Sequence, residues 1–430
     1  MIEDDIYRTS SQYRLWSFTQ DSLRSLRDTT NAVASDRVRA ARRRMQPASS
    51  AAATPNPSGS DTDSKRDEKP VECLTPDEEQ DLVRYYCEQT LELGERYRPA
   101  IPTIVRSTAI QYLRRFYLTN SPMTYHPKTI MACALFLATK TENYYMSLRH
   151  FADALPPDIT GDDVIAPEFL LMQGLRFTFD VRHPFRGLEG GIMELQAIAQ
   201  GLGQPAPHFP AQTAESLQKG LLAVPPPPST PSSSSSSSST TDRLARAHGT
   251  TRETLKTAAQ MTDAYFLYTP SQIWLSAFYL ADRPLAEFYL DTKLGSDSEM
   301  GGILHTLRTK LLHTLSSCSA LLQSYTPSTA DADQMKNLKR IAKKRHHCAN
   351  PDKANLAGRK RDPAVAGAGG GGETGTSESE VDRMAKKRKL EREQRETDGK
   401  ELFGGELVTN RTKEALQEQQ QQDAQPEGAG

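Results

Sequence analysis

Two apolar stretches of this chain repeat one another. Residues 125–140 read YHPKTIMACALFLATK and residues 268–283 read YTPSQIWLSAFYLADR. Each runs Tyr-x-Pro, then Ile three residues after the Pro, then an Ala-rich apolar segment closing on Leu-Ala and a base. Pro127 and Pro270 suit a first helical turn, where the missing amide hydrogen costs nothing. The segment after each Pro is apolar on nearly every side, the pattern of a helix enclosed by other helices. The copies lie 143 residues apart, too far for a solenoid repeat of about 20–50 residues. The pattern predicts a duplicated all-α domain, each copy built around one buried helix.

The helices around these two are set by the same periodicity. Thr75-Pro76-Asp77-Glu78 combines an N-cap, a first-turn Pro and a capping-box acid. It predicts a helix with Leu82, Val83, Tyr86 and Leu93 inward, ending before Pro99. A second runs from about Pro102 to Leu118 with Ile104, Val105, Ala109, Tyr112, Leu113 and Phe116 as its stripe. After the buried third helix, SLRHFADAL gives a short fourth stopped by Pro156-Pro157, and PEFLLMQGLRFTF a fifth. In the second copy HPFRGLEGGIMELQAIAQGL comes first, and the pattern resumes at about Arg243 through TLKTAAQMTDAYFLY. The repeated helix, ADRPLAEFYL, and a long helix from about Ser298 to Tyr325 come next, the last with Ile303, Leu304, Leu307, Leu311, Leu312 and Leu315 inward.

Flanking helices are expected on both sides. Before the first repeat, WSFTQDSLRSLRDTTNAVA offers Thr19 as cap, Asp21 in the first turn, and Phe18 stapled to Leu23. Leu23, Leu26 and Val33 are placed on one face, and Trp16 and Phe18 beside them point to docking. A charged helix is expected over Ala332–His347. The boundaries are therefore a helical region at 1–39, a linker rich in Ala, Ser, Pro and charge at 40–73, and repeats at 74–181 and 182–326. The second repeat carries a Pro/Ser-rich insert at about 203–242, and a terminal helix spans 327–350. A low-complexity tail at 351–430 offers nothing to bury.

Composition narrows the chemistry. A net charge of −1 over 430 residues gives no global field toward nucleic acid or membrane. It hides basic clusters at Arg37–Arg44, Lys336–Arg345 and Lys386–Lys389. The five cysteines form no Cys-x-x-Cys pair, and Cys133 falls in a buried run, so a reduced intracellular protein is expected. The opening MIEDDIYR is not a signal peptide, and the apolar run Ile130–Ala138 is too short for a bilayer. No phosphate loop, nucleophile elbow or zinc-protease motif is present, so neither enzyme activity nor a cofactor is expected. His346-His347-Cys348 are consecutive on a polar helix and are not expected to converge on a metal. Arg114-Arg115, flanked by Tyr112, Phe116 and Tyr117, is expected to face water or a partner while the aromatics face the core.

Two five-helix repeats centred on buried Ala-rich helices resemble the twin cyclin boxes of the cyclins. SSQYRLWSF, RPAIPTIVRSTAIQYLRRFYLTNSPMTYHPKTIM, HPFRGLEG and MTDAYFLYTPSQIWLSA are similar to the cyclin H family. That family supplies the regulatory subunit of the CDK-activating kinase, which also belongs to general transcription factor IIH. The resemblance covers about Ser10–Ala34 and Leu74–Tyr325 without the insert. It implies two tandem cyclin boxes that bind and activate a cyclin-dependent kinase, a ring-finger assembly factor as a further partner, and a nuclear location.

In the cyclins a Lys ending the third helix and a Glu opening the fifth hold the kinase. Lys140 in LATKTE and Glu168 in PEFLLMQGLRF match them, with Glu142 beside the Lys. Trp16, Phe18 and Leu23 are expected to dock on the first repeat or the kinase. Lys386, Lys387, Arg388 and Lys389 form a nuclear-localisation candidate. Pro167 departs from the family pattern, because a Pro inside the fifth helix would break a backbone bond and redirect Glu168. Another transcription-associated cyclin would share the fold without SSQYRLWSF. A two-repeat DNA-binding factor of the TFIIB type would need a zinc ribbon, for which no Cys pair exists. Neither membrane association nor sequence-specific nucleic-acid binding is expected.

Overall fold

The structure, a computed structural model, describes residues 3–45, 71–156, 159–207, 209, 211–227, 239–295 and 303–349. The regular elements among them are all helices, in the order α1 (Glu3–Thr9), α2 (Ser11–Trp16), α3 (Gln20–Met45), α4 (Pro76–Arg96), α5 (Thr103–Phe116), α6 (Pro127–Thr141), α7 (Leu148–Asp153), α8 (Gly161–Ile165) and α9 (Glu168–Gly174). The second half continues with α10 (Phe185–Ala199), α11 (Ala214–Ala223), α12 (Thr240–Lys256), α13 (Ala258–Met261), α14 (Ala264–Leu267), α15 (Pro270–Ala281), α16 (Arg283–Leu294), α17 (Ile303–Gln323) and α18 (Ala332–His347). None of them is long and apolar enough to cross a membrane.

The two repeated stretches are the two central helices. In the first repeat α6 lies against α4, α5, α8 and α9; in the second, α15 lies against α10, α12, α16 and α17. Every residue of α6 from Ile130 to Thr139 is buried, as is Ile273–Phe278 of α15. The start signals act as the composition suggests. Thr75 and Glu78 close a reciprocal capping box on α4, Thr269 and Gln272 do the same on α15, and each satisfies amides that the first turn leaves without helical partners. Gly187 and Gly191 let α10 approach α15, since a Cβ on either would stand 2.6 Å from the Trp274 ring.

Several expectations are corrected. α3 does not end at residue 39 but runs through Met45, because Ala34, Val38 and Ala41 continue its buried stripe. Val33 is 45% exposed. It lies ten residues after Leu23, which at about 100° per residue turns it well off the face. α1 and α2 precede α3 and carry no strong apolar period. Ile104, in the first turn of α5, and Leu307, in the first half of α17, are exposed rather than inward, whereas Leu315 is buried as expected and Cys318 and Leu322 are buried with it.

The expected insert at 203–242 contains a packed helix, α11, which buries Leu217 and Leu221 and lies against α10 and α16. Of the Pro/Ser-rich run, residues 228–238 lie outside the described residues, as do 46–70 of the expected linker and the whole tail with Lys386–Lys389. TLKTAAQMTDAYFLY is three helices, not one, broken at Thr257 and again at Thr262. The break leaves the carbonyls of Gln260 and Met261 free of helical partners, and Arg114 donates to both, at 3.2 and 2.6 Å.

The basic terminal helix α18 spans its expected residues but is docked rather than solvated. Ile341 and Cys348 join Ala34 and Val38 of α3 and Leu74, Leu82 and Met123 in one apolar cluster. Lys344 sits between Glu72 and Glu78, at 2.7 and 2.8 Å, and Arg345 donates to the Pro122 carbonyl.

Candidate functional site

The end of α6 is built as a closed helix terminus. Tyr144 N–H bonds back to the Thr139 carbonyl at 2.9 Å, and Asn143 N–H to that of Lys140 at 3.4 Å. This is the Schellman pattern, and Asn143 takes the left-handed turn it requires, at φ 55°, which Asn tolerates better than most residues. The terminus fixes Lys140 in the last turn, where a cation complements the carbonyl end of the helix. Its ammonium stands 4.7 Å from the centre of the Phe136 ring, and its side chain is 45% exposed.

Glu168 arrives from the other side. α8 ends at Ile165, and Pro167 stands outside α9 as its N-cap. The Pro167 carbonyl accepts the first helical bond, from Leu171 N–H at 2.8 Å. A Pro at that position gives up no helical hydrogen bond, so it does not break the helix or turn Glu168 away. Glu168 opens α9, and its Oε1 accepts from Lys140 Nζ. On the stretches of chain that carry the pair, Tyr145, Ile165, Phe169 and Phe177 are exposed, with the two Phe rings 6.2 Å apart.

Glu142 does not join them. Its carboxylate accepts from the Thr108 hydroxyl at 2.6 Å, at the head of a buried chain of hydrogen bonds. The Thr108 oxygen meets His183 Nε2 at 2.9 Å, His183 Nδ1 meets the Tyr265 hydroxyl at 2.9 Å, and Gln260 Nε2 donates to that hydroxyl at 2.7 Å. Gln111 Nε2 closes the chain by donating to Gln260 Oε1 at 2.9 Å. With Thr108 donating to Glu142, His183 must carry its proton on Nε2 and accept on Nδ1. Burial, reinforced by the Arg115 charge, holds the His183 pKa down to about 3, so the ring stays neutral.

Trp16, Phe18 and Leu23 are gathered at a second place. Trp16 and Leu23 are buried with Leu118 and Phe266, and Phe18 packs on them. Trp16 Nε1 donates to Thr178 Oγ1 at 3.0 Å, and the guanidiniums of Arg115 and Arg176 each lie 5.2 Å from its ring. Phe18 N–H donates to the Phe266 carbonyl at 2.8 Å. The N-terminal helices thus dock within the chain, across both repeats.

The expectation that Arg114 and Arg115 face water or a partner gives way to burial within the chain. Arg115 is 1% exposed, and Gln12 Oε1, the Asp180 carbonyl and Trp16 receive it. Arg114 is 9% exposed and shares Asp263 with Arg27, each at 2.6 Å. Two consecutive cations on a helix surrounded by partners were the available signal, because such a helix has no wet face left for them. Among the described residues no group of three or more His, Cys, Asp and Glu is gathered to hold a metal ion. His346 and His347 are exposed while Cys348 is buried.

With this geometry in place, comparison with known proteins becomes specific. Residues 84–180 match the family described as "Cyclin, N-terminal domain", and residues 183–323 match "Cyclin C-terminal domain". A chain of the structure of the CAK complex from Chaetomium thermophilum bound to ATP-gamma-S aligns with a TM-score of 0.61 at 31% identity, covering 86% of this chain and 100% of that one. The chain belongs to the cyclin family, in the cyclin H group. Cyclin CCL1 of Saccharomyces cerevisiae is 31% identical over 68% of this chain and 62% of its own length. Cyclin-H of Xenopus laevis is 33% identical over 31% of this chain and 42% of its own. This cyclin therefore spans less than two thirds of the length of either.

The matched boundary between the two cyclin domains, at residues 181–182, falls in the segment between α9 and α10. The central helices α6 and α15 are each enclosed by helices of their own domain. Lys140 and Glu168 both lie in the N-terminal cyclin domain.

Proposed function

We propose that this cyclin is the regulatory subunit of a cyclin-dependent kinase acting in CDK activation and RNA polymerase II transcription, and that it holds the kinase through Lys140 and Glu168. The observation that carries the reading is the ion pair between these two residues, with Tyr145, Ile165, Phe169 and Phe177 exposed on the same stretches of chain. Exposed aromatic clusters around a few charged groups are the anatomy of a protein interface. The two side chains hold each other in place while the site is open. Once a kinase covers them, Lys140 donates to kinase main-chain carbonyls and Glu168 accepts main-chain amides.

Covering α6 and α9 sets the first repeat against the kinase's mobile regulatory helix and pushes it inward, aligning the kinase's Lys–Glu pair and metal-binding loop. The cyclin contributes no catalytic group of its own. A ring-finger assembly factor, membership of general transcription factor IIH and a nuclear location complete the reading. They rest on the membership in the cyclin H group. Glu142 serves behind the interface, anchoring the α6 terminus to α5 through Thr108 rather than touching the kinase.

The test is the affinity of Lys140→Ala and Glu168→Ala proteins for the kinase subunit, by titration calorimetry. Truncating one side of a buried charged contact costs roughly 2–5 kcal/mol, about thirty- to several-thousand-fold in affinity. Within the free cyclin the pair is partly exposed and worth at most ~1 kcal/mol, so circular dichroism and thermal midpoints should stay near those of the unaltered protein. Unchanged affinity in Lys140→Ala would remove these residues from the interface.

A further inference from the structure

Two of the basic clusters in the sequence lie about 300 residues apart along the chain, and the fold brings them together. Ala34 and Val38 of α3 and Ile341 and Cys348 at α18 enter one apolar cluster with Leu74, Leu82 and Met123. Arg42 of α3 donates to the His347 carbonyl at the end of α18. The two basic stretches therefore meet where Arg42 reaches the end of α18. Residues 36–44 and 332–348 carry eleven Arg and Lys against two Asp, in a chain whose net charge is −1.

The side chains divide by face. Arg340, Lys344 and Arg345 turn to Glu78, Glu72 and the Pro122 carbonyl and dock α18. Arg37, Arg39, Arg42 and Arg43 of α3 and Lys336, Lys339 and Lys343 of α18 are exposed, with His346 and His347 beside them. The two acids are engaged locally, Asp36 with Arg39 at 3.1 Å and Asp333 with Lys336 at 2.8 Å. Lys336, Lys339 and Lys343 recur at helical spacing, so they stand in a row at about one helical turn, or ~5.4 Å, per residue.

We propose that this joined face of α3 and α18 binds the phosphate backbone of duplex nucleic acid, independently of sequence. The choice of occupant rests on what the surface contains and lacks. Among the described residues of these two stretches no large apolar side chain is exposed. A protein partner gains most of its affinity from buried aromatic and apolar anchors at the centre of an interface, and none is offered. A phosphate backbone needs only cations, each contact releasing condensed counterions. No Phe, Tyr or Trp lies in either stretch, so there is no platform on which unpaired bases of a single strand would stack. The surface is remote in sequence from Lys140 and Glu168, and its proposed role does not rest on theirs.

Fluorescence anisotropy of a short labelled duplex with the full chain tests this, at salt from roughly 50 to 200 mM, the range over which backbone contacts lose most affinity. The full chain should bind with a steep log–log salt slope and no difference between scrambled duplexes. Replacing Arg37, Arg43, Lys339 and Lys343 together by Ala should weaken binding at least about tenfold and flatten the slope by up to about 3.6, near 0.9 per lost phosphate contact. A charge-keeping variant, Arg37→Lys with Arg43→Lys, should bind like the unaltered chain, separating charge from folding defects. Changing Lys386–Lys389 to Ala should leave binding in place. The proposal is overturned by a fourfold variant that binds normally, by loss of binding in the Lys386–Lys389 variant, or by tighter capture of polyglutamate than of duplex, which would mark an acidic protein as the occupant.

Discussion

Arg114 and Arg115 are neighbours on α5, yet each ties down a different part of the molecule. Arg114 reaches the end of α13 and Asp263 in the second repeat; Arg115 reaches α2 and the segment after α9. Burial lowers the Arg115 pKa to about 10, still far above neutral, so the cation survives by hydrogen-bonding and ring contact. Glu79 behaves oppositely. Burial pushes its pKa up to about 7, despite hydrogen bonds from Ser121 and Asn31. A carboxyl with a raised folded pKa favours the fold below its ordinary value and loses that contribution as pH climbs through the folded one. Relative to Glu79→Gln, the unaltered protein should therefore lose stability between about pH 4.5 and 8, by roughly 3 kcal/mol in all. Urea unfolding of both proteins at the two ends measures it. A pH-independent difference would mean that Glu79 is ionised throughout.

At the scale of elements, the N-terminal helices are structural members and not an appendage. Trp16, Leu23, Val38 and Ala41 are each no more than 2% exposed, and together they cover surfaces of both repeats and of α18. Trp16→Ala should cost about 3–5 kcal/mol, since the cavity would sit between two guanidiniums and a packed cluster with little room to collapse. For a folded part of this size that is a fall of roughly 5–8 °C in thermal midpoint, read by circular dichroism. A midpoint unchanged within a degree or two would return these helices to decoration. α11 illustrates the same point on a smaller scale. Its start is capped by Thr213 and Ser216, a local signal masked by the Pro- and Ser-rich run after it. Two buried leucines are enough to fasten it because α10 and α16 supply a groove.

Polar contacts join the two repeats: Gln111 to Gln260, Arg114 to Asp263, and Thr108 through His183 to Tyr265, with Arg27 of α3 on the same Asp263. Unfolding either repeat alone would forfeit all of these bonds at once, each worth about 0.5–1.5 kcal/mol net and about 1.5–3 where a charged group takes part. The repeats should therefore unfold together, as one calorimetric transition with equal calorimetric and van't Hoff enthalpies. Two resolved transitions would show that each repeat stands alone. The duplication, the two enclosed helices with their first-turn prolines, the capping box of α4, the position of Lys140 at a helix end and the span of α18 were all readable from local patterns, because helix periodicity and capping are set by residues a few positions apart. Contacts across long sequence separations were not. Whether Arg114 and Arg115 face water, that Glu142 turns to Thr108 while Glu168 turns to Lys140, where α2 lodges Trp16, and that Arg42 meets the end of α18 each depend on which surfaces the packed helices bring within a few ångströms, and no local period encodes that.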